Sequence, residues 1–211
     1  MAACGGGGGG GGDTAPPPPS VKQHPIKTFG IKGPLANTKV SIFKLDRTKA
    51  GLKGDLVASG TTDSKASLNN VQISEPLVND YLLEFTPDGA SIDLATGKSA
   101  LISKLLTLIS KDQLTSGAAV YASPWSTQVL AIAEKKLSAN TALSISTVLA
   151  ESLNQFRTEF NFSLNLNADV FTTPSLIVND GTSLQNIVQF RAQNDAYIAL
   201  LHYLSLKGSS G

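Results

Sequence analysis

The sequence predicts an α+β fold, an all-β sandwich over residues 21–123 followed by a small three-helix domain over residues 124–206. Three observations carry that expectation. Before residue 122, several short runs alternate apolar and polar residues at period two, each bounded by turn chemistry. After Tyr121 the period lengthens to about 3.6, beginning at Ser123-Pro124. Ahead of both, residues 1–20 are so rich in Gly and Pro that they read as a disordered linker, and residues 207–211 as a second linker or a chain end.

The strands follow from the alternation. Residues 38–45 place Val40 and Ile42 on one face and Lys39 and Ser41 on the other. Residues 55–61 form a second strand after the Gly/Lys-containing turn at 50–54, and residues 71–73 a short third one. Residues 81–85 put Tyr81, Leu83 and Phe85 on one face ahead of a Pro87-Asp88-Gly89 turn. Short strands at this spacing fit a sandwich with one buried face, lined by Val40, Ile42, Tyr81, Leu83 and Phe85. Residues 101–109 fit a helical face and also a buried strand. The strand is preferred, paired as a hairpin with residues 118–122 through the turn residues Asp112 and Gly117. Lys98, Lys104 and Lys111 leave a membrane-lying segment as a further reading of this stretch.

The helices carry their own punctuation. Ser123 can cap and Pro124 suits the first helical position, where its missing N–H has no partner to lose. Val129, Leu130, Ala133 and Leu137 continue one stripe. Ile145, Val148, Leu149, Ser152, Leu153, Phe156 and Phe160 mark a second helix. A third, from Ser183, uses Leu184, Ile187, Val188, Ile198, Leu201 and Leu204, after an irregular stretch holding Pro174 and Asp180-Gly181.

Composition narrows the function classes. Among 211 residues, 17 Lys plus Arg balance 16 Asp plus Glu for a net charge of +1, which argues against nucleic-acid binding by bulk electrostatics. A single Cys excludes an intrachain disulfide, and with only two His an all-protein zinc site is implausible.

The amino terminus has an odd asymmetry: eight glycines, Asp13-Thr14-Ala15 and four prolines form a linker, yet only four residues precede it. The fourth is the sole cysteine. Such a linker reaches roughly 20–25 Å root-mean-square as a coil. Ala2-Ala3-Cys4-Gly5 resembles the end of a bacterial lipoprotein signal peptide, in which small residues precede a Cys that becomes the acylated first residue. The expectation is a covalent lipid such as palmitate on Cys4, adding about 0.8 kcal/mol of membrane affinity per buried CH₂. Asp13 lies too far along to act as a retention signal directly after Cys4, which leaves the outer membrane or cell surface as the destination.

A wider resemblance rests on three motifs. Residues 33–40 (Gly33-Pro34-Leu35-Ala36-Asn37-Thr38-Lys39-Val40), Thr61-Thr62-Asp63 and Tyr81-Leu82-Leu83-Glu84-Phe85 resemble the carboxypeptidase-regulatory, transthyretin-like (Ig-like) β-sandwich module. Ala122-Ser123-Pro124-Trp125-Ser126-Thr127 with Leu130-Ala131, and residues 196–201, are similar to helices that follow this module in large Gram-negative surface lipoproteins. Ala66 stands where the module's turn glycine would follow Asp63. The resemblance implies a structural, adhesive or surface-assembly role, with further chain beyond this piece.

Chemistry-bearing residues are few. His24 has no acidic neighbour in sequence and His202 sits beside Tyr203, so neither has an orienting partner for general-base work. Asp88, Asp93 and Asp180 lie near glycines and are read as turn residues, too few to supply the six to eight oxygens calcium takes. Tyr121, Trp125 and Tyr197 are the candidate ligand or partner contacts, at the junction of sandwich and helices. Thr172-Thr173-Pro174 is a candidate partner-facing loop.

Taken together, these features predict a non-enzymatic, lipid-anchored protein of the bacterial envelope without a cofactor other than the lipid. Its partners would be the membrane, other envelope or surface proteins, and further copies of itself in an oligomer or filament. The alternative is an envelope module binding a glycan or peptide at the junction of Tyr121, Trp125 and Tyr197.

Overall fold

The computed structural model describes Met1 and residues 21–31, 33–77, 79–140, 142–159, 170–171, 188–189, 192, 195–200 and 203. Strands and helices mix along the chain, so the fold is α+β. Strands β1 (Gln23–Pro25), β2 (Lys27–Gly30), β3 (Leu35–Ala36) and β4 (Lys39–Leu45) come first. A 3₁₀ turn (Ala50–Leu52) leads into β5 (Lys53–Thr61), then β6 (Gln72–Ser74), β7 (Tyr81–Thr86), β8 (Ile92–Asp93), β9 (Lys98–Ser99) and β10 (Leu105–Ile109). Helix α1 (Lys111–Ser116), strand β11 (Ala119–Ala122) and helices α2 (Pro124–Ala139) and α3 (Ile145–Glu159) follow.

The centre is an antiparallel sheet in the order β10-β7-β4-β5. Val40 lies opposite Phe85 and Ile42 opposite Leu83, and Leu105 and Ile109 continue the row against Phe85 and Tyr81. This face packs on Ile26, Leu35, Val71, Ile73, Leu114, Val120 and Ala122, contributed by the small pairs β1-β6 and β2-β11 and their surroundings. Gly30 at the end of β2 allows a close approach: a Cβ there would stand 2.8 Å from the Phe85 ring.

Two expectations are corrected here. The sheet buries both faces, not one. Leu82 is 0% exposed, and with Leu45 and Leu106 it packs against Leu130, Ala133 and Leu137 of α2 and Val148 of α3. This shared core crosses the boundary drawn at residue 123, because α2 has an apolar stripe to bury and the sheet offers it a second apolar face. The expected hairpin is also reduced to a single antiparallel bridge, Leu106 with Ser123. Residues 105–109 are indeed a strand, but β10 pairs with β7, and β11 pairs in parallel with β2. The reason is local: Ser110 caps α1 through a reciprocal capping box with Gln113, and Gly117 ends it in the left-handed region at φ 68°. What reads as turn chemistry is a helix start and stop, and that helix carries the chain to another partner.

The Thr62-Asp63 motif forms a locked turn. The buried Thr62 hydroxyl donates to the Leu35 carbonyl (2.7 Å) and accepts from the Thr38 N–H (2.9 Å). Asp63 accepts from the N–H groups of Lys65 (2.8 Å) and Ser67 (2.9 Å), which hold its carboxyl below the usual range. Ala66 follows at φ 62°, the backbone region that favours glycine.

The helical stripes agree with the pattern in part. Val129, Leu130, Ala133 and Leu137 of α2, and Val148, Ser152 and Phe156 of α3, are buried. Residues 195–200 are helical and bury Tyr197 and Ile198, whereas Val188, expected in the third stripe, is exposed. Leu184, Ile187, Leu201 and Leu204 lie outside the described residues, as do residues 2–20.

The two-sided sheet yields a test. Leu82→Ala and Leu83→Ala sit on opposite faces of β7, and each should lower unfolding free energy by about 2–5 kcal/mol in urea titration. A one-sided sheet would leave one of them near the ~0.5 kcal/mol of a surface change.

Candidate functional site

The junction predicted to hold the site is built by the first turn of α2. Ser123 is the N-cap, its hydroxyl accepting from Ser126 N–H (3.1 Å) while the Ser126 hydroxyl accepts from Ser123 N–H (2.8 Å). Pro124 occupies the first helical position. The next two hydroxyls reach the sheet edge: Ser126 donates to the Leu106 carbonyl, and Thr127 accepts from the Leu106 N–H at 2.8 Å.

Tyr121, Trp125 and Tyr197 do come together, but as packing. Trp125 and Tyr197 are each 3% exposed, in a cluster with Ile31, Val129, Phe156 and Val170, and Tyr121 packs against its side. Trp125 faces Phe156 at 6.4 Å between ring centroids, and Tyr121 stacks on Phe29 at 5.7 Å. Trp125 and Tyr197 are therefore enclosed in the core, while Tyr121 and Phe29 stay half-buried at its edge. The Tyr197 hydroxyl donates to Gln128 Oε1 at 2.8 Å, and burial pushes its phenol up to about 12.

The open space lies beside the cluster rather than over Trp125. A cavity of about 400 Å³ is bounded by Leu101, Ile102, Pro124, Gln128, Tyr197 and Ile198, among others. A neighbouring one of about 650 Å³ shares Leu101, Ile102, Ser103 and Ile198 and extends to Asp195 and Ala199. The first volume falls in the range of small-ligand sites. Sequence reasoning singled out Tyr197 but missed Gln128 and the 101–103 segment, since neither carries a pattern that distinguishes it from ordinary helix or strand.

The other candidates are placed as follows. Cys4, His202, Asp180 and Thr172-Thr173-Pro174 lie outside the described residues. Asp93 is buried, and its Oδ1 accepts from Ala95 N–H at 2.9 Å; Asp88 accepts from Ala90 N–H at 2.9 Å. Both therefore organise turns. Among the described residues no group of three or more His, Cys, Asp or Glu could hold a metal, and no helix is long and apolar enough to cross a membrane.

His24 requires a correction. It is 3% exposed and its Nε2 lies 2.9 Å from Glu75 Oε1, an acidic partner 51 residues away that antiparallel pairing of β1 with β6 brings alongside. Lys22 Nζ approaches the same oxygen at 3.8 Å. The hydrogen bond from His24, with Lys22 nearby, holds the Glu75 carboxyl below its ordinary range. The pair clips β1, the first strand after the linker, to the body of the fold.

Two pH dependences follow. A carboxyl with a depressed folded pKa contributes stability above its unfolded value and loses it as pH falls. Glu75→Gln should thus lower the urea midpoint at neutral pH, with the gap to the parent closing as pH falls through the carboxylate range. Tyr197 has the opposite sign: its raised pKa favours the neutral phenol, so stability holds below the ordinary value of 10.0 and declines as pH rises toward about 12. Ultraviolet titration should show a late tyrosinate component that Tyr197→Phe reduces.

No protein-family model matches the chain, and no curated protein matches it.

Proposed function

We propose that the protein is a lipid-anchored component of a bacterial envelope, acylated at Cys4, acting through protein–protein contact in adhesion or surface assembly. The observation that carries this reading is the sequence around the sole cysteine: two alanines before it and eight glycines after it, in the pattern of a lipoprotein acylation site followed by a tether. A tether of residues 5–20 would lift the folded part clear of the bilayer. In this reading residues 21–123 are a transthyretin-like sandwich, residues 124–206 a helical partner domain, and the outer membrane or cell surface the location. The His24–Glu75 pair clips a strand and lines none of the cavities described above.

A second reading, a module that binds an envelope ligand at the junction, is favoured by the cavities beside Tyr197.

Intact-mass analysis of native protein extracted from membranes in detergent tests the anchor. The expected result is a lipid mass on Cys4, and release of a Cys4→Ser variant into the soluble fraction. An unmodified Cys4 in a soluble native protein would overturn the reading.

A further inference from the structure

The stretch joining β9 to β10 is irregular backbone, with a bend at Ser103, that belongs to no ladder. Residues 100–104 lie between the end of the β8-β9 pairing and the start of the β10-β7 pairing. Among the described residues, Ala100, Leu101, Ile102, Ser103 and Lys104 make no backbone–backbone hydrogen bond outside those ladders. A row of unpaired N–H and C=O groups is a template for an added strand. Its side chains are apolar where solvent would ordinarily select polar ones: Leu101 is 77% exposed.

The same stretch is one wall of both cavities at the junction. Ile198 and Ala199 of the helical residues 195–200 form the facing wall, and Pro124, Thr127 and Gln128 of α2 close one end. The polar groups here are of both kinds, with the Lys104 ammonium beside the first cavity and the Asp195 carboxylate beside the second. Lys104 is exposed and makes no ion pair among the described residues. Gln128 uses its Oε1 to accept from Tyr197, which directs its amide N–H groups elsewhere.

We propose that this cleft binds an extended, mainly apolar polypeptide segment of a partner protein, which pairs with the backbone of residues 100–104 and sets an acidic group against Lys104. The apolar side chains of that segment enter the two cavities against Ile102 and Ile198 and cover Leu101. An extended strand presents side chains alternately, so one set faces the cavities while the other stays in water. A glycan is the poorer fit because the one aromatic ring lining these cavities among the described residues, Tyr197, is enclosed in the core. The inference rests on the contact role proposed above and names the partner chemistry for it. It is independent of the lipid: loss of the anchor leaves peptide binding standing, and loss of peptide binding leaves the anchor standing.

The test uses the full chain, panned against a random linear peptide library displayed on phage. The expected result is enrichment of peptides alternating apolar residues and carrying an acid. Hydrogen exchange should then slow at residues 100–104 when an enriched synthetic peptide is added. Leu101→Asp, which alters an exposed side chain and should keep the parent Tm, should weaken that peptide by roughly tenfold or more. Lys104→Glu should remove the preference for the acid. No enrichment, protection confined to other segments, unchanged affinity in Leu101→Asp, or capture on a glycan array in place of peptides would each overturn the proposal.

Discussion

The peptide unit of Leu106 is the point on which the arrangement of sheet and helices depends. Strand β10 is the last strand of the central sheet on its side, and on its outward edge Leu106 meets only a single antiparallel bridge to Ser123 in place of a ladder. Leaving the outward N–H and C=O of Leu106 buried and unpaired costs about 1–3 kcal/mol each. Ser126 and Thr127 satisfy both, one hydroxyl donating and the other accepting, from successive positions in the first turn of α2. Because Thr127 also donates to the Ser123 carbonyl at 2.7 Å, the helix cap and the sheet edge share one hydrogen-bond network. The first turn of α2 therefore cannot move without unpairing the sheet edge.

That clamp has consequences for packing. It lays Leu130, Ala133 and Leu137 over Leu82 and Leu106, and the Gly51 N–H donates to Glu134 farther along α2, tying the 3₁₀ turn before β5 to the same helix. Lys53 and Glu84 pair on this face, with Lys53 also lying 5.3 Å from the Phe43 ring centroid. The other face is closed by short strand pairs, none longer than four residues, which could not hold together alone. They are stable here because Val71, Ile73, Val120 and Ala122 all bury against Tyr81, Leu83, Phe85 and Leu105.

The same geometry explains why the junction holds a cavity and not an aromatic platform. Trp125 lies between the capping residues Ser123 and Ser126, so fixing Ser126 and Thr127 on the sheet turns the indole into the space between α2 and α3, against Phe156. Gln128, one residue past the clamp, is left at the rim with Tyr197. Here the residue most conspicuous in the sequence is structural, and the inconspicuous stretch at 100–104 supplies the open wall.

What the amino-acid order determined by itself was local. The alternation in 38–45 and 81–85, the Ser123-Pro124 start, and the stripe of Val129, Leu130, Ala133 and Leu137 were all legible, because each is decided by neighbours within a few residues. Partner choice was not legible. Nothing near residue 24 points to Glu75, and nothing in 105–122 says that β10 joins β7 while β11 runs parallel to β2. Leu82 reads as an outward residue until α2 arrives to cover it. Those outcomes belong to tertiary structure, since pairing and burial are settled by which distant apolar faces and unpaired backbone groups can be satisfied together, and that sum is taken over the whole chain.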